Sequence, residues 1–405
     1  MTQTRRWVLY DDGGGRFGPM TDLRCFAEAR TGAMTALERM TGAWGPPLAS
    51  IVPEDLADLA AERGSTEPMG TLGEGPVLLV NARWRGSLPD TLPEPGERWC
   101  DADGATAMAT LEASDAAEFV SRRVVPAGLR RIDDPPVRLY HRPWEVLEDL
   151  PARLVEDLEA MRRADGVRVA TPAAPDAELV GSHPVDLDPH ATLGRGVVLD
   201  ATDGPIRIAA GASVGHLSVL RGPIWIGPGS IVADRTRIKS NVAIGPVCKV
   251  GGEIGATIFQ GHANKVHDGH LGDSWIGEWV NVGAGTTNSN LLNTYGEISM
   301  RLEPDGPSER SGRTALGCIV GDHVKFAILV RIMTGSSFGT GSMVATVDPP
   351  RSLGRFRWLT DRGDATYRLD RFLVTMTAAQ ARRGVVAGPA YLERLRRLHD
   401  AGRGG

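Results

Sequence analysis

Cysteine is scarce in this chain. The 405 residues hold four, Cys25, Cys100, Cys248 and Cys318. They are scattered singly with no Cys-x-x-Cys spacing, which argues against a disulfide framework or a structural zinc site and fits a reducing, cytoplasmic setting. Long apolar runs are also lacking. No stretch approaches the roughly 18 apolar residues that a membrane-spanning helix needs. The amino terminus carries Arg5 and Arg6 but runs into Asp11, Asp12 and glycines instead of an apolar core, so neither a signal peptide nor a membrane anchor is expected. Positive charge is not in excess. A net charge of -5, with no basic and aromatic stripe to offset it, argues against a nucleic-acid partner.

What the chain has is a beat of six. Ile208, Val214, Leu220, Ile226, Val232, Ile238, Ile244 and Val250 recur at that interval, and Val320, Phe326, Ile332, Phe338 and Val344 resume it. A small or β-branched residue, such as Ala212, Ser218, Ser230, Thr236, Val242 or Cys248, precedes most of them by two positions. An amphipathic helix repeats at about 3.6 residues and an exposed strand at about 2, so a period of six specifies a hexapeptide β-helix. Three units close one triangular coil. A single coil cannot bury its apolar column, whereas stacked coils can, and such solenoids build sites by assembling into symmetric trimers.

The pattern divides the chain into an α/β domain over residues 1–180, a left-handed parallel β-helix over 181–350 and a short helical C-terminal cap over 351–405. In the first part, Trp7 to Tyr10 and Val77 to Val80 read as strands, Leu23 to Met40 as a helix, and Pro135-Pro136 and Thr171 to Pro175 as joints. Strand, glycine loop and helix in this order suggest a nucleotide-binding layer with ligands at the carboxyl ends of the strands. Pro151 to Arg163 reads as a helix leading to a first coil near Val185, and Thr377 to His399 as helical. Between Val250 and Ile276, and again between Val282 and Val320, the step is not a multiple of six. Each gap must hold a loop, and interrupting loops are where function concentrates.

The first gap carries His262, Asn264, Lys265, His267, Asp268 and His270, and the coils after it carry Asn281, Asn288 and Asn290. A loop histidine with an ordinary pKa of about 6.5 can serve as a general base, and His267 is the candidate. Asparagine amides can hold sugar hydroxyls or an oxyanion without adding a charge that competes with an amine nucleophile.

These residues resemble a known family. His267-Asp268-Gly269-His270-Leu271-Gly272-Asp273, then Ile276-Gly277, Asn281-Val282-Gly283-Ala284-Gly285-Thr286 and Asn290, are similar to the acetyltransferase half of the bifunctional GlmU proteins, which acetylate glucosamine 1-phosphate and then uridylylate it. The resemblance places the catalytic base on His267, the tyrosine that contacts donor and acceptor on His270, and two active-site asparagines on Asn281 and Asn290. A closer likeness, through Gly251-Gly252-Glu253-Ile254, Asn264-Lys265 and Trp279-Val280-Asn281, is to a divergent GlmU-related group of sugar nucleotidyltransferase-like proteins; it adds Asn264 and Lys265 to the candidate substrate contacts. Two phosphate-binding lysines of GlmU are missing, at Gly255 and within Asn293 to Gly296. Lys265 or Lys249 could replace one of them, or the acceptor is a different amino sugar.

Gly13-Gly14-Gly15-Arg16-Phe17-Gly18-Pro19-Met20-Thr21 resembles a degraded sugar nucleotidyltransferase signature. That resemblance implies phosphate binding by Gly14, Gly15 and Arg16, with Arg24 as a second cation and Asn81 where a magnesium-binding aspartate is expected. An amide there removes a charge that magnesium needs.

Three classes of function follow. The first is a trimeric transferase that uses acetyl-CoA to N-acetylate an amino sugar, phosphate- or nucleotide-linked, beside a nucleotidyltransferase domain that requires magnesium if active. The second is a nucleotidyltransferase or sugar-nucleotide-binding protein whose solenoid only trimerises it. The third is a γ-carbonic-anhydrase-like zinc enzyme, suggested by the pair His262 and His267 but lacking a histidine between His216 and His262 to supply the third ligand.

Overall fold

The computed structural model describes residues 5–65, 73–133, 136–165 and 176–402. Of the two expected joints, Pro135 and Thr171–Pro175 lie outside the described residues. The chain forms two units: residues 1–16, 23–29 and 34–142 make the first, and 17–22, 30–33 and 143–405 the second.

The first unit is a six-stranded mixed sheet. Trp7–Tyr10 lies between Ala49–Ile51 and Val77–Asn81 and is parallel to both. All four of its residues are buried, the pattern of a strand covered on both faces. Thr106–Leu111 and Glu97–Cys100 continue the sheet antiparallel, and Arg130–Ile132 closes it. The chain leaves the central strand to one side and then crosses to the other, which opens a crevice at the carboxyl ends of Trp7–Tyr10 and Val77–Asn81. The expected helix over Leu23–Met40 does not form. A helical turn covers Phe26–Glu28, and the α-helix is Ala36–Trp44. Its start is set by Thr35, whose hydroxyl accepts from the Glu38 amide while Glu38 accepts from the Thr35 amide. Such a capping box defines a helix start, so the residues before Thr35 are left outside the helix.

The second unit opens with a helix that is longer than expected, Pro143–Asp165, with Pro151 inside it. Proline costs a hydrogen bond there, but the buried stripe Trp144, Leu147, Leu150, Leu154 and Leu158 runs straight through, and packing outweighs the lost bond. The helix packs on strands Glu253–Phe259 and His270–Ile276.

The parallel β-solenoid spans about ten turns over residues 178–360. The whole series of eight from Ile208 to Val250 points inward and is buried, as are Val320, Phe326, Ile332, Phe338 and Val344. One face stacks Leu193, Val214, Val232, Val250 and Lys265, and further on Val282, Phe326 and Val344. The beat was lost because coil length varies. Val232 pairs with Val250, 18 residues on. Val250 pairs with Lys265, 15 residues on; Ile254 with Leu271, 17 on; Ile276 with Val320, 44 on. The long coil carries an antiparallel hairpin, Ser299–Met300 with Glu309–Arg310, and its neck is closed by the Leu316 amide on the Asn290 carbonyl at 2.9 Å.

The carboxyl-terminal region is two helices, Leu369–Ala381 and Pro389–Ala401, not one run from Thr377 to His399. They cover a corner of the solenoid where His262, Trp279 and His323 stack, with ring centroids 4.3 and 6.3 Å apart, and Phe372 and Tyr391 close over His323. All three stacked residues have positive φ.

Candidate functional site

Three adjacent coils meet at one corner of the solenoid. Strand Asn264–Lys265 enters it, residues 266–269 turn it, and His270–Ile276 leaves on the next face. The His267 side chain is exposed at the turn. On the entering face, Asn264 donates to the Asn281 side-chain oxygen at 2.9 Å. Coil stacking places these two amides one above the other.

The leaving face holds a ladder of charged and polar groups. Arg237 pairs in register with Glu253, and Glu253 with His270. The Glu253 carboxylate bonds Arg237, lies 2.5 Å from Lys239 Nζ and 3.4 Å from His270 Nδ1. Hydrogen bonds from Lys239 and Arg237 hold its pKa down at about 2. Burial lowers the His270 pKa, against the pull of Glu253. Asn290 donates to Asp273 at 2.6 Å, and Arg313 lies 3.6 Å from the same carboxylate. Thus His270 and Asn290 share one wall, while Asn264 and Asn281 share another and His267 stands at the edge between them.

Sequence reasoning did not single out Arg237, Lys239, Glu253, Asp273 or Arg313 as site residues. Glu253 and Asp273 stood inside quoted motifs. Arg313 had no signal, because it reaches the wall only through the 44-residue coil. Of these cations Lys239 packs against Gly255, one of the two positions where a lysine was missing, and each of the three already faces a carboxylate. Lys265, expected to touch substrate, instead points into the solenoid and is 2% exposed. His262 belongs to the aromatic stack and does not converge on His267 in a metal-binding group.

In the first unit, the candidate phosphate residues lie at the sheet crevice, but much of their bonding capacity is spent internally. Arg83, 2% exposed, clasps Asp12 through Nε at 2.8 Å and Nη2 at 2.7 Å, and donates to the Tyr140 carbonyl at 2.8 Å. Burial alone would raise the Asp12 pKa, but Arg83 outweighs it and the pKa is lowered. Asn81, fully buried, donates to Asp12 and to the Thr106 carbonyl and accepts from the Arg83 amide. With its amide so engaged, Asn81 does not fit a magnesium ligand. Gly14 has no space for a side chain, since a Cβ would come within 2.5 Å of Arg83 Nη2. Gly15 has positive φ, Arg16 is exposed and its amide donates to the His141 carbonyl, and Arg24 is buried. Beside them, His141 Nε2 lies 2.8 Å from Asp101 and Nδ1 3.7 Å from Asp103. Among the described residues this is the only cluster with metal-ligating spacing.

No protein-family model matches the chain. Among curated proteins it is similar to the bifunctional protein GlmU of Xanthomonas campestris pv. campestris, 27% identical over 329 residues, covering 76% of this chain and 63% of that protein. The chain is thus similar, at low identity, to GlmU-related proteins. GlmU of Azoarcus is 25% identical over 201 residues, 47% of this chain and 41% of that protein. A bifunctional sugar-1-phosphate nucleotidylyltransferase/acetyltransferase of Sulfurisphaera tokodaii is 30% identical over 115 residues, 28% of this chain and 26% of that protein. The match to the Xanthomonas GlmU spans less than two thirds of that protein's length. No helix among the described residues is long and apolar enough to cross a membrane.

Proposed function

We propose that this chain is an acyl-CoA-dependent N-acyltransferase for an amino sugar bearing a phosphate or a nucleotide, working as a cytoplasmic homotrimer. The observation that carries the reading is the solenoid corner: one exposed imidazole, His267, on a turn between two polar walls that hold Asn264 with Asn281 and His270 with Asn290. GlmU-like relatives support acetyl-CoA as the donor.

The sugar amine attacks the thioester carbonyl, so a C–N bond forms and the C–S bond breaks. His267 removes the proton from the attacking nitrogen and returns it to the departing thiolate. Asn290 and loop amides stabilise the tetrahedral oxyanion, and His270 with the Glu253 ladder positions the acceptor.

The test is thiol release from acetyl-CoA with a panel of amino sugars. His267→Ala should lower turnover by about 100-fold or more with acetyl-CoA binding nearly intact. Equal rates for the two proteins would remove His267 from the chemistry.

The first unit favours a different reading from live nucleotidyl transfer. Asp12, Arg83 and Asn81 satisfy one another where phosphate and magnesium would be held, so we assign this unit a binding or structural role.

A further inference from the structure

Lys265 occupies a position built for an aliphatic side chain. Its register partner in the preceding coil is Val250, the following coil places Val282 at the same point of the inward column, and the lysine is 2% exposed. Burying an ammonium is costly unless every N–H finds an acceptor. Here all three do: Nζ donates to the carbonyls of Gly251 at 2.9 Å, His267 at 2.7 Å and Gly269 at 2.9 Å. Two of these carbonyls belong to the turn that carries His267, and the third to the coil beneath it.

The rest of the turn is held as tightly. The Gly285 amide donates to the Asp268 carbonyl at 3.1 Å and the Glu253 amide to the Gly269 carbonyl at 3.2 Å. A Cβ on Gly252, whose φ is +75°, would come within 2.9 Å of the His267 and Gly269 carbonyls and of Lys265 Nζ; one on Gly269 would meet the Thr286 carbonyl at 2.1 Å. The turn is therefore clamped between two glycine-bearing coils, and among the described residues the ammonium is the only donor to the His267 carbonyl.

We propose that Lys265 is a positioning residue: its buried ammonium, acting from inside the solenoid, fixes the backbone of the turn and so aims the His267 imidazole at the reacting amine. The step to catalysis rests on the acyltransferase reading above; the step to backbone order does not. A neutral amine has two N–H groups for three carbonyls, so the turn loosens when the ammonium loses its proton. Burial brings that pKa down to about 8, opposed by the charge of Asp268. His270 and Cys318 also line the interior beside it, and Cys248 lies in the same core.

The experiment uses Lys265→Met in the full chain, which keeps the stem and deletes the ammonium. Expected is amide hydrogen exchange over residues 266–270 faster by about tenfold or more, turnover lower by about tenfold or more, and acetyl-CoA KM within about threefold of wild type. The wild-type rate should also fall above about pH 8, a limb that the variant lacks. A folded Lys265→Met protein with wild-type exchange over 266–270 overturns the proposal; so does loosened exchange with wild-type turnover and an unchanged alkaline limb. Should the variant fail to fold, exchange in the wild type decides: after correction for intrinsic rates, protection of 266–270 must drop between pH 7 and 9, and constant protection refutes the idea. If wild type acetylates no amino sugar, the acyltransferase reading fails while the exchange measurement still judges the clamp.

Discussion

Replacing Arg83 by methionine should unlock the first unit. The guanidinium is nearly inaccessible and makes a two-point contact with Asp12 plus a bond to the Tyr140 carbonyl. Removing one partner of a buried ion pair costs about 3–5 kcal/mol, because the other charge is left uncompensated. The Asp12 side chain is 25% exposed, so water recovers part of that loss; the abandoned Tyr140 carbonyl adds about 1 kcal/mol. The expected destabilisation is therefore about 3 kcal/mol. Urea unfolding followed through the buried tryptophans Trp7, Trp44 and Trp99 reads the first unit, with the second unit's transition fitted separately. Asp12→Asn supplies the other edge of a double-mutant cycle, with an expected coupling of about 2 kcal/mol. The pH dependence has a definite sign. The folded-state pKa of Asp12 is depressed, so its contribution is fully present above the unfolded value of about 3.9 and is lost as pH falls through the lower folded value. The gap between wild type and Arg83→Met should narrow in that range. A loss under about 1 kcal/mol, or coupling below about 0.5 kcal/mol, would refute an internally satisfied crevice.

Two further outcomes are expected. Ile244→Ala opens a void in a fully buried column position and should cost about 2–5 kcal/mol in urea unfolding of the second unit, whereas a loss under about 0.5 kcal/mol would be the signature of a surface position. The homotrimer requires a trimeric mass in sedimentation at micromolar protein, and a monomer there removes the assembly from the proposal.

The solenoid was legible because its inward residues obey one rule, and every member of the two runs of six is buried. Legibility stopped where coils of 15, 17 and 44 residues replaced those of 18. Register in these coils is held by hydrogen bonds to the coil beneath, which leave no period in the sequence. The motif around His267 could be read, but the inward turn of Lys265 could not, since only the pairing with Val250 shows that it occupies the aliphatic column. In the same way Asn288 lies buried in line with Ile332, its amide closed on Gly272 and Ser274. Arg313 needed the long coil to be brought to Asp273. In the first unit the glycine loop stood out, but the self-contained bonding of Asp12, Asn81 and Arg83 joins residues some 70 positions apart, beyond the reach of local pattern. Pro151 misled in the opposite direction: a residue that ends most helices is carried through by the packing of the helix around it.

The 44-residue coil has a consequence for how such a molecule can change. It leaves the stack at Asn290 and rejoins at Leu316, where the Leu316 amide bonds the Asn290 carbonyl and Leu291 bridges Ala315, and the coils on either side keep parallel registry across it. The scaffold thus measures its parts by where they re-enter, not by how much chain they spend outside. A lineage can lengthen, shorten or exchange that excursion, and with it the arginine it brings to the site, while the layers above and below stay as they were. New acceptors could be explored at the rim of an unchanged rack.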